Sequence, residues 1–573
     1  MRELDSSIAL VKECADLLSV RPLEDNRVSN KSLSYFCSNN AVRLSAAVAI
    51  IFAGLVFVFT SIRTSPAVTA TPASCEGLAQ LALPNTRINA AQTVTTGEFT
   101  PPGRATSIKG LPPFCRVSAT LTPSTDSDIK VEVWLPLSGW NGKYRGQGNG
   151  GFAGSISFDA LASAIKLGYA SAGTDTGHTG NDAAWALGHS EKIVDFGWRA
   201  IHEMTLKAKL IIQNFYGESP KQSYFSSCSN GGREALMEAQ RFPADYDGII
   251  AGAPANYWTR LLTSGMLMQS VTLKGDGYIP AAKLPAITAA VMKACDEQDG
   301  VKDGLLTDPR QCKFDPSLLI CKDAESDACL TASQARALKA IYDGAQQSGE
   351  ELFFPGFTMG SEGSGWNAWI TGPMPGRSTG FFFGSQFFTN MVYEKADWDY
   401  RTFNFAEGRK LAESKTAAAL DSINPNLKAF KGRGGKLIMY HGWNDPAIPP
   451  VNTINYFQSL LTTMGRREAD SFVRLFMVPG MGHCGGGPGP NVFGQIEPAV
   501  DDPEHNVYRA LEQWVERGIA PERLTATRYN DDRNRAQGVK MTRPLCAYPR
   551  VAKYKGTGDS NDAANFVCGP AGK

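Results

Sequence analysis

The sequence predicts an α/β protein in which a long middle segment interrupts one regular domain. Short apolar or β-branched runs alternate with segments of helical periodicity up to about residue 255. The alternation stops between residues 256 and 430 and then resumes up to residue 573. Strands that alternate with helices are typical of a parallel sheet with helices on both faces.

The predicted elements of the first part follow in order. IKVEVWLPL (129–137) alternates and is β-branched, which predicts a strand, and the glycine-rich GQGNGGFAGS after it predicts a loop. YASAGTDTG (169–177) predicts a second, buried strand. Residues 193–217 carry apolar side chains at helical spacing and stop at a glycine, so they predict a helix. The strand SYFSS, a turn at Ser229, the helix REALMEAQRF and the strand DGIIAGAPA complete this part.

The second part has fewer regular elements. Residues 256–430 hold short aromatic clusters, many glycines and four cysteines, without a clean alternation. Beyond them come the strands KLIMYHG and FVRLFMVPG and the amphipathic helix NVYRALEQWVERG. We therefore predict one domain made of residues 74–255 and 431–573, with residues 256–430 inserted as a lid.

The charge balance excludes some classes of partner. The chain of 573 residues carries 57 basic and 56 acidic side chains, a formal net charge of +1. Such a balance does not predict binding to nucleic acid or to a charged membrane surface. A chain with 43% hydrophobic residues can build a large core.

An apolar segment near the N-terminus predicts export. Residues 44–62 are long enough to span a bilayer, Arg43 precedes them, and small residues follow up to Ala70. We interpret residues 44–70 as a signal peptide after an extension of residues 1–43, or as an uncleaved signal anchor. Both alternatives predict a secreted or periplasmic protein, and contact with a membrane only if the segment stays uncleaved. Ten cysteines follow it, which fits five disulfides in an oxidising compartment.

The stretch SYFSSCSNGGREA (223–235) places Ser229 between a predicted strand and a predicted helix. It resembles the turn on which α/β-hydrolases expose a nucleophilic serine. The fold class predicted is therefore an α/β-hydrolase fold with a large inserted lid. Ser227 stands where the usual Gly-x-Ser-x-Gly pattern has its first glycine. On its own, Ser229 would more often be a helix N-cap.

Two later residues complete a candidate triad with this serine. In α/β-hydrolases the order is serine, then an acid, then histidine, with the acid and the base on loops after later strands. Asp445 follows one late strand and His483 follows the next, whereas His441 comes too early to follow the acid. Taken alone, Ser229 would be interpreted as a helix N-cap, Asp445 as a turn former and His483 as a loop residue. All three in order at strand ends predict a catalytic triad.

Two cysteines flank this candidate triad. Cys228 precedes the serine and Cys484 follows the histidine. Joined, they would fix two distant loops, a closure that the chain-entropy model values at roughly 5 kcal/mol. These cysteine–serine and histidine–cysteine pairs, with the aspartate between them, resemble the tannase and feruloyl esterase family, whose members share a disulfide-tied triad. The resemblance runs from about Cys75 to Cys568, although family members often have glycine in place of Ser227.

The resemblance implies the oxyanion donors and the disulfides. The backbone N–H groups of Asn230 and Gly151 should stabilise an oxyanion, although the glycine-rich loop alone would be read as an ordinary turn. Ten cysteines allow many connectivities, so the sequence alone does not settle the pairing. Zinc is an alternative, but the chain has no Cys-x-x-Cys pair. The implied disulfides are Cys228–Cys484, Cys75–Cys115, Cys295–Cys312, Cys321–Cys329 and Cys546–Cys568.

An acidic loop in the lid predicts a calcium site. CDEQDGVKDGLLTDPRQC spaces three aspartates closely between glycines, and carboxylate and carbonyl oxygens are the ligands that calcium prefers. The spacing differs from that of an EF-hand, and a solvated acidic loop is the alternative. The resemblance implies a structural Ca²⁺ and no organic cofactor. The implied ligands are the carboxylates of Asp296, Asp299 and Asp303 and the carbonyls of Val301 and Leu305.

The lid also carries candidate substrate contacts. Within the family, the hydrolase of mono(2-hydroxyethyl) terephthalate contacts its substrate through a tryptophan, an arginine and a phenylalanine, and Trp369, Arg377 and Phe381 match these positions. Phe382 and Ile448 differ from that enzyme, so the same substrate is not implied. The alternative interpretation is that Arg377 is a surface residue beside aromatic residues of the lid core.

The resemblance implies a serine carboxylic-ester hydrolase that acts on small esters of aromatic acids. We also expect a monomer. The acid would be a gallate, a hydroxycinnamate or a hydroxybenzoate, and a terephthalate-type monoester is the alternative. A catalytically silent binding protein with the same fold is a more distant alternative, and the intact candidate triad argues against it.

Overall fold

The computed structural model describes residues 72–346, 352–495, 500–532 and 534–571. These residues belong to one compact unit. The predicted extension (1–43) and export segment (44–70) lie outside the described residues. Across the part of the chain that is described, no helix is both long and apolar enough to cross a bilayer.

The described residues form fifteen strands, with the following bounds. They are β1 (Thr86–Val94), β2 (Glu98–Phe99), β3 (Ile108–Lys109), β4 (Phe114–Leu121), β5 (Ile129–Pro136), β6 (Lys143–Gln147), β7 (Ala170–Thr174), β8 (Gln222–Cys228), β9 (Gly248–Gly252), β10 (Lys436–Gly442), β11 (Val473–Val478), β12 (Arg523–Tyr529), β13 (Val539–Cys546), β14 (Arg550–Tyr554) and β15 (Phe566–Pro570).

Fourteen α-helices lie in the same described ranges. They are α1 (Phe158–Lys166), α2 (Ser190–Val194), α3 (Ala200–Tyr216), α4 (Asn230–Arg241), α5 (Trp258–Leu267), α6 (Leu284–Cys295), α7 (Ala332–Asp343), α8 (Trp366–Trp369), α9 (Thr379–Phe387), α10 (Phe405–Leu420), α11 (Lys428–Gly432), α12 (Val451–Met464), α13 (Arg466–Asp470) and α14 (Val507–Arg517). α3 and α14 end where predicted, at Gly217 and Gly518, each in the left-handed region.

A nine-stranded mixed sheet forms the centre of the molecule, in the order β1-β4-β5-β7-β6-β8-β9-β10-β11. The pairs from β7–β6 to β10–β11 are parallel, as predicted. The β1–β4, β4–β5 and β5–β7 pairs are antiparallel, so the predicted all-parallel sheet is wrong at this edge. The β4–β5 connection explains the difference, because residues 122–128 are too few for the crossover that a parallel pair needs.

Helices cover both faces of the sheet and bury alternate side chains of each strand. Phe225 of β8 belongs to a core cluster that includes Ala200 and Met204 of α3. Its neighbour Tyr224 belongs to a second cluster, on the other face, with Ala510 of α14. The central strands are therefore buried on both sides, which is typical of parallel sheets.

The lid is inserted between two strands that are neighbours in the sheet. β9 pairs with β10 in parallel register, from Gly248 opposite Lys436 to Gly252 opposite Tyr440. The chain between them, which includes α5 to α10, contains its own apolar cluster around Trp366. The lid thus leaves the sheet at the carboxyl end of β9, the edge at which parallel sheets place their functional loops.

The five predicted disulfides are confirmed. The structure pairs Cys75–Cys115, Cys228–Cys484, Cys295–Cys312, Cys321–Cys329 and Cys546–Cys568. The Cys228–Cys484 bridge spans 256 positions and ties the end of β8 to the loop after β11.

Candidate active site

Ser229 occupies a sharp turn between β8 and α4. Its backbone has φ 68° and ψ −125°, a conformation that non-glycine residues rarely adopt and that marks functional turns. Two backbone hydrogen bonds stabilise this conformation. Ser229 N–H donates to Gly252 O at 2.9 Å, and Ser229 O accepts from Ala255 N–H at 3.1 Å. The next turn of chain needs Gly231, since a Cβ at that position would overlap Ser227 Oγ. The absence of a Cβ at Gly231 therefore leaves room for the side chain of Ser227 under the turn.

The structure brings His483 and Asp445 to this serine. His483 Nε2 lies 2.9 Å from Ser229 Oγ, and His483 Nδ1 lies 2.8 Å from Asp445 Oδ2. An aspartate carboxylate only accepts, so Nδ1 carries the proton and Nε2 is free to accept the serine proton. The three residues follow the carboxyl ends of β8, β10 and β11, which is why side chains so far apart in the sequence meet.

Asp445 is fully buried and stays ionised. Its Oδ1 accepts hydrogen bonds from the N–H groups of Ala447 at 2.8 Å and Ile448 at 3.0 Å. Burial opposes ionisation, but the two neighbouring histidines, His483 and His441, hold the pKa of Asp445 well below its ordinary value. A fixed negative charge therefore faces the imidazole of His483.

His441 is a site residue that sequence reasoning missed. Its Nε2 lies 3.0 Å from the same Asp445 Oδ2 that accepts from His483, and its Nδ1 lies 2.7 Å from Thr453 Oγ1. The side chain is completely buried. The signal in the sequence is its position at the end of β10, four residues before the acid, but the residue order of an α/β-hydrolase triad points only to a histidine after the acid.

The glycine-rich loop after β6 is tied to the nucleophile helix through one carboxylate. Glu234 Oε2 accepts from Asn149 N–H at 2.9 Å, and its Oε1 accepts from Asn230 Nδ2 at 3.0 Å. Burial raises the pKa of Glu234 to about 7. This bridge fixes Gly151, whose φ is +59°, near the N-terminus of α4, where the backbone N–H of Asn230 lies.

A cavity of about 1380 Å³ lies over the candidate triad. Ser229, His483, Gly151 and Asn230 all line it. On the lid side its lining is aromatic and aliphatic, as in most small-molecule sites. The lid-side lining includes Leu262, Ile370, Phe354, Phe357, Trp369, Phe381 and Phe383.

The structure brings two of the three predicted substrate contacts to this cavity. Trp369 lies close to the base, with its ring centroid 5.4 Å from that of His483, and stacks on Phe383 at 6.1 Å. Phe381 also lines the cavity. Arg377 is exposed and is not among the lining residues.

The predicted calcium ligands lie together in the loop closed by Cys295–Cys312. Asp296 Oδ1 accepts from Gly304 N–H at 2.9 Å, and Asp303 Oδ2 pairs with Arg543 Nη2 at 2.6 Å. Burial, with the charges of its two neighbouring aspartates, raises the pKa of Asp303. Elsewhere in the described part of the chain, His202, Glu238 and Asp245 bring one possible ligand atom each to within 4.8 Å of one another. The lid aspartates approach one another less closely than that.

Comparisons with known proteins place this geometry in a family. Residues 115–569 match the family model of tannase and feruloyl esterase. The chain is 42% identical over 528 residues to an uncharacterized esterase of Xanthomonas campestris pv. campestris, covering 87% of this chain and 91% of that one. It is 32% identical over 494 residues to feruloyl esterase B of Aspergillus niger, covering 84% and 91%.

A solved structure shows the same fold. The crystal structure of feruloyl esterase B from Aspergillus oryzae is similar with a TM-score of 0.80 and 29% identity, covering 86% of this chain and 99% of that one. The family match includes the lid, the candidate triad and the sheet from Cys115 of β4 onwards. The chain belongs to the tannase and feruloyl esterase family of α/β-hydrolases and is a carboxylic ester hydrolase.

Proposed function

We propose that the protein is an exported serine esterase that hydrolyses small esters of aromatic acids. The observation that carries this proposal is the continuous contact from Asp445 through His483 to Ser229 Oγ, at 2.8 and 2.9 Å, below an aromatic cavity. A nucleophile in reach of its base, and a base held by an acid, is the arrangement that acyl transfer requires.

The first half of the reaction forms an acyl-enzyme. Ser229 Oγ attacks the ester carbonyl carbon while His483 Nε2 takes the hydroxyl proton. The fixed charge of Asp445 stabilises the imidazolium that results. The tetrahedral intermediate then breaks its bond to the alkoxy oxygen, which leaves as the alcohol with the proton from His483.

The second half releases the acid. Water, deprotonated by His483, attacks the acyl carbon, and the bond to Ser229 Oγ breaks as the proton returns to the serine. In both halves the carbonyl oxygen carries negative charge, and we assign the N–H groups of Asn230 and Gly151 as its donors. The hydrogen bonds of Glu234 support this assignment, because they hold the glycine-rich loop against α4. Removing one preorganised donor of this kind typically raises the barrier by about 3–4 kcal/mol.

The lid side of the cavity is proposed to hold the ring of the acid. Trp369 and Phe383 stack in parallel planes, 6° apart, and Trp369 also lies against His483. A flat ring inserted beside them would place its carbonyl next to the base. The names of the fungal relatives favour a hydroxycinnamate such as ferulate as the acid, with gallate as the second choice.

The exposed position of Arg377 favours these acids over a terephthalate-type monoester as the substrate. A free carboxylate on the acid would need a desolvated cation, whereas Arg377 is exposed, and exposed ion pairs are typically worth about 1 kcal/mol or less. We therefore expect Arg377→Ala to lower kcat/KM for carboxylated acids by less than tenfold. A larger loss that spares neutral methyl benzoates would support the terephthalate alternative.

Export, a structural calcium ion and a monomeric state are parts of the same proposal. Five disulfides in the described chain support an oxidising compartment. The three lid aspartates fit calcium in donor chemistry, since they offer hard oxygens on a loop turned at Gly300 and Gly304, both in the left-handed region. A bound ion would stabilise the loop and supply no chemistry to Ser229.

The test is a product screen by liquid chromatography on ferulate, gallate and terephthalate monoesters, with Ser229→Ala as the blank. We expect release of ferulate or gallate, and a loss on the order of a million-fold in turnover for Ser229→Ala. Activity of the variant within tenfold of wild type would refute the assignment of the nucleophile. A folded wild-type protein inactive on all three, and on a nitrophenyl ester, would instead support the silent binding protein.

A further inference from the structure

The cavity over Ser229 has a second lobe on the sheet side. Arg145 and Gln147 of β6 pair with Tyr224 and Ser226 of β8, so the four side chains lie on one face of the sheet. This face is the one covered by α1 and α14. The lobe extends from Ser229 past the Cys228–Cys484 bridge to this face and is lined mainly by polar groups. Its lining includes Arg145, Gln147, Ser226, Ser163, Gln495 and Tyr508.

Arg145 lines this lobe and has no counter-charge. The residue is 7% exposed, and its Nε atom is buried without a hydrogen-bond partner. Within the described ranges, no oxygen accepts from its guanidinium and no carboxylate lies within ion-pair distance of it. A buried arginine in this state is unusual, because burying an unpaired charge is costly.

The neighbouring acids are already engaged elsewhere. Glu512 of α14 bonds Lys143 Nζ at 2.7 Å and Arg509 Nη1 at 2.7 Å. Asp159, near the N-terminus of α1 at the rim of the lobe, pairs with Arg104 at 2.8 Å. None of these acids is therefore available to neutralise Arg145.

The surroundings of Arg145 suit an anion. Its guanidinium carbon lies 3.6 Å from the centroid of the Tyr508 ring, which fixes the plane of the fork while leaving its N–H groups free. The N-terminus of α1 opens into the same lobe, with Ser157 at its N-cap making no side-chain cap bond. The helix dipole adds positive potential there. A planar guanidinium with free donors best fits a carboxylate.

We propose that Arg145 binds a carboxylate in the sheet-side lobe, and that the esters this enzyme prefers carry that group on the alcohol side. The inference rests on the proposed function, since the aromatic lid side takes the acid and leaves the opposite lobe to the leaving group. The same carboxylate chemistry is met by a free anion, such as the released hydroxy acid.

The test compares two esters of one aromatic acid with alcohol parts of matched size. The carboxymethyl ester carries a carboxylate, and the carbamoylmethyl ester replaces it with a neutral amide. We expect wild-type kcat/KM to favour the carboxymethyl ester, and Arg145→Gln to lower it by about 10- to 100-fold for that ester alone, as loss of a charge-assisted hydrogen bond predicts. Arg145→Lys should retain part of the preference.

Arg104→Gln is the matched control, because it removes one exposed positive charge, which pairs with Asp159 of the cavity lining. It should change the two esters equally, which separates direct contact from general electrostatic attraction. Equal loss on both esters in Arg145→Gln, or no wild-type preference between them, would overturn the leaving-group assignment. Hydrolysis of the neutral ester that depends on Ser229 would show that the proposed function survives that outcome.

A second measurement does not depend on turnover or on the folding of a variant. Sodium glycolate, the alcohol product of the carboxymethyl ester, should raise the Tm of the wild type and inhibit hydrolysis of the neutral ester, and glycolamide should do neither. Glycolate binding without an ester preference would identify the site as one for free anions. Absence of both effects would refute a carboxylate site at Arg145.

Discussion

The sheet edge and the lid face each other across one cavity, but they hold their side chains differently. On the sheet side, Ser229, Asp445 and His483 each come directly from the end of a buried strand and are fixed by several hydrogen bonds. On the lid side, Trp369 and Phe381 lie on short helices between irregular segments, and Arg377 is exposed. We therefore propose that the scaffold fixes the chemistry, whereas the lid adjusts which ester is accepted.

The Cys228–Cys484 bridge should be the strongest test of this difference. Replacing both cysteines with serine should cost up to roughly 5 kcal/mol of stability and also lower kcat, because the bridge holds the serine and histidine loops together. The control replaces Cys321 and Cys329, which close a lid loop of only 8 positions. That pair should reduce stability less and leave kcat unchanged. An equal fall in kcat for both pairs would contradict a special role for the sheet side.

Glu234 should make stability depend on pH. Its pKa is raised from the ordinary carboxyl value to about 7, so the folded protein binds this proton more tightly than the unfolded chain does. The contribution to stability is therefore complete below about pH 4.5 and is lost as pH rises through 7, by at most about 3 kcal/mol. Glu234→Gln should flatten the fall in unfolding free energy between pH 5 and 8. An unchanged slope in urea titrations would show that Glu234 stays ionised throughout.

His441 is expected to position the acid. His441→Leu removes one donor from the buried carboxylate of Asp445, which should lower kcat by about 10- to 100-fold with little change in KM. His441→Gln should recover part of the activity, since its amide can donate to the same oxygen. A lower Tm with normal kcat would mean that His441 only fills space.

A calcium ion bound at the lid aspartates should stabilise the fold without changing the rate of ester hydrolysis. A chelator should lower Tm by a few degrees and leave the initial rate on a small ester unchanged at low temperature, because the lid aspartates supply no group to the candidate triad. Asp299→Asn should reproduce the lower Tm and abolish the response to the chelator. Protein purified without chelator that contains no calcium by elemental analysis would refute the site.

The sequence could predict the residues whose position follows from topology. Ser229, Asp445 and His483 are predictable because strand ends meet at one edge of a parallel sheet, and residue order then limits the choice. It could not predict the antiparallel edge at β1, β4 and β5, whose pairing depends on connection length. The disulfide pairs came from the family resemblance, because spacing alone allows many connectivities.

Residues whose role depends on packing could not be predicted either. His441 contacts Asp445 only because the turn after β10 folds back onto its own strand. Arg145 lies in β6, a strand that the sequence pattern does not predict, and its burial without a partner depends on α1 and α14 packing over it. Arg377 matched a family position by sequence, yet its side chain is exposed in the lid.

Trapping the acyl-enzyme tests the central claim most directly. The protein is mixed with a nitrophenyl ester of an aromatic acid, quenched in acid within milliseconds, digested and examined by mass spectrometry. We expect the mass of the acyl group on the peptide that contains Ser229, a burst of nitrophenol equal to the enzyme concentration, and neither in Ser229→Ala. Steady turnover with no acyl adduct, or with the adduct on another residue, would contradict the account.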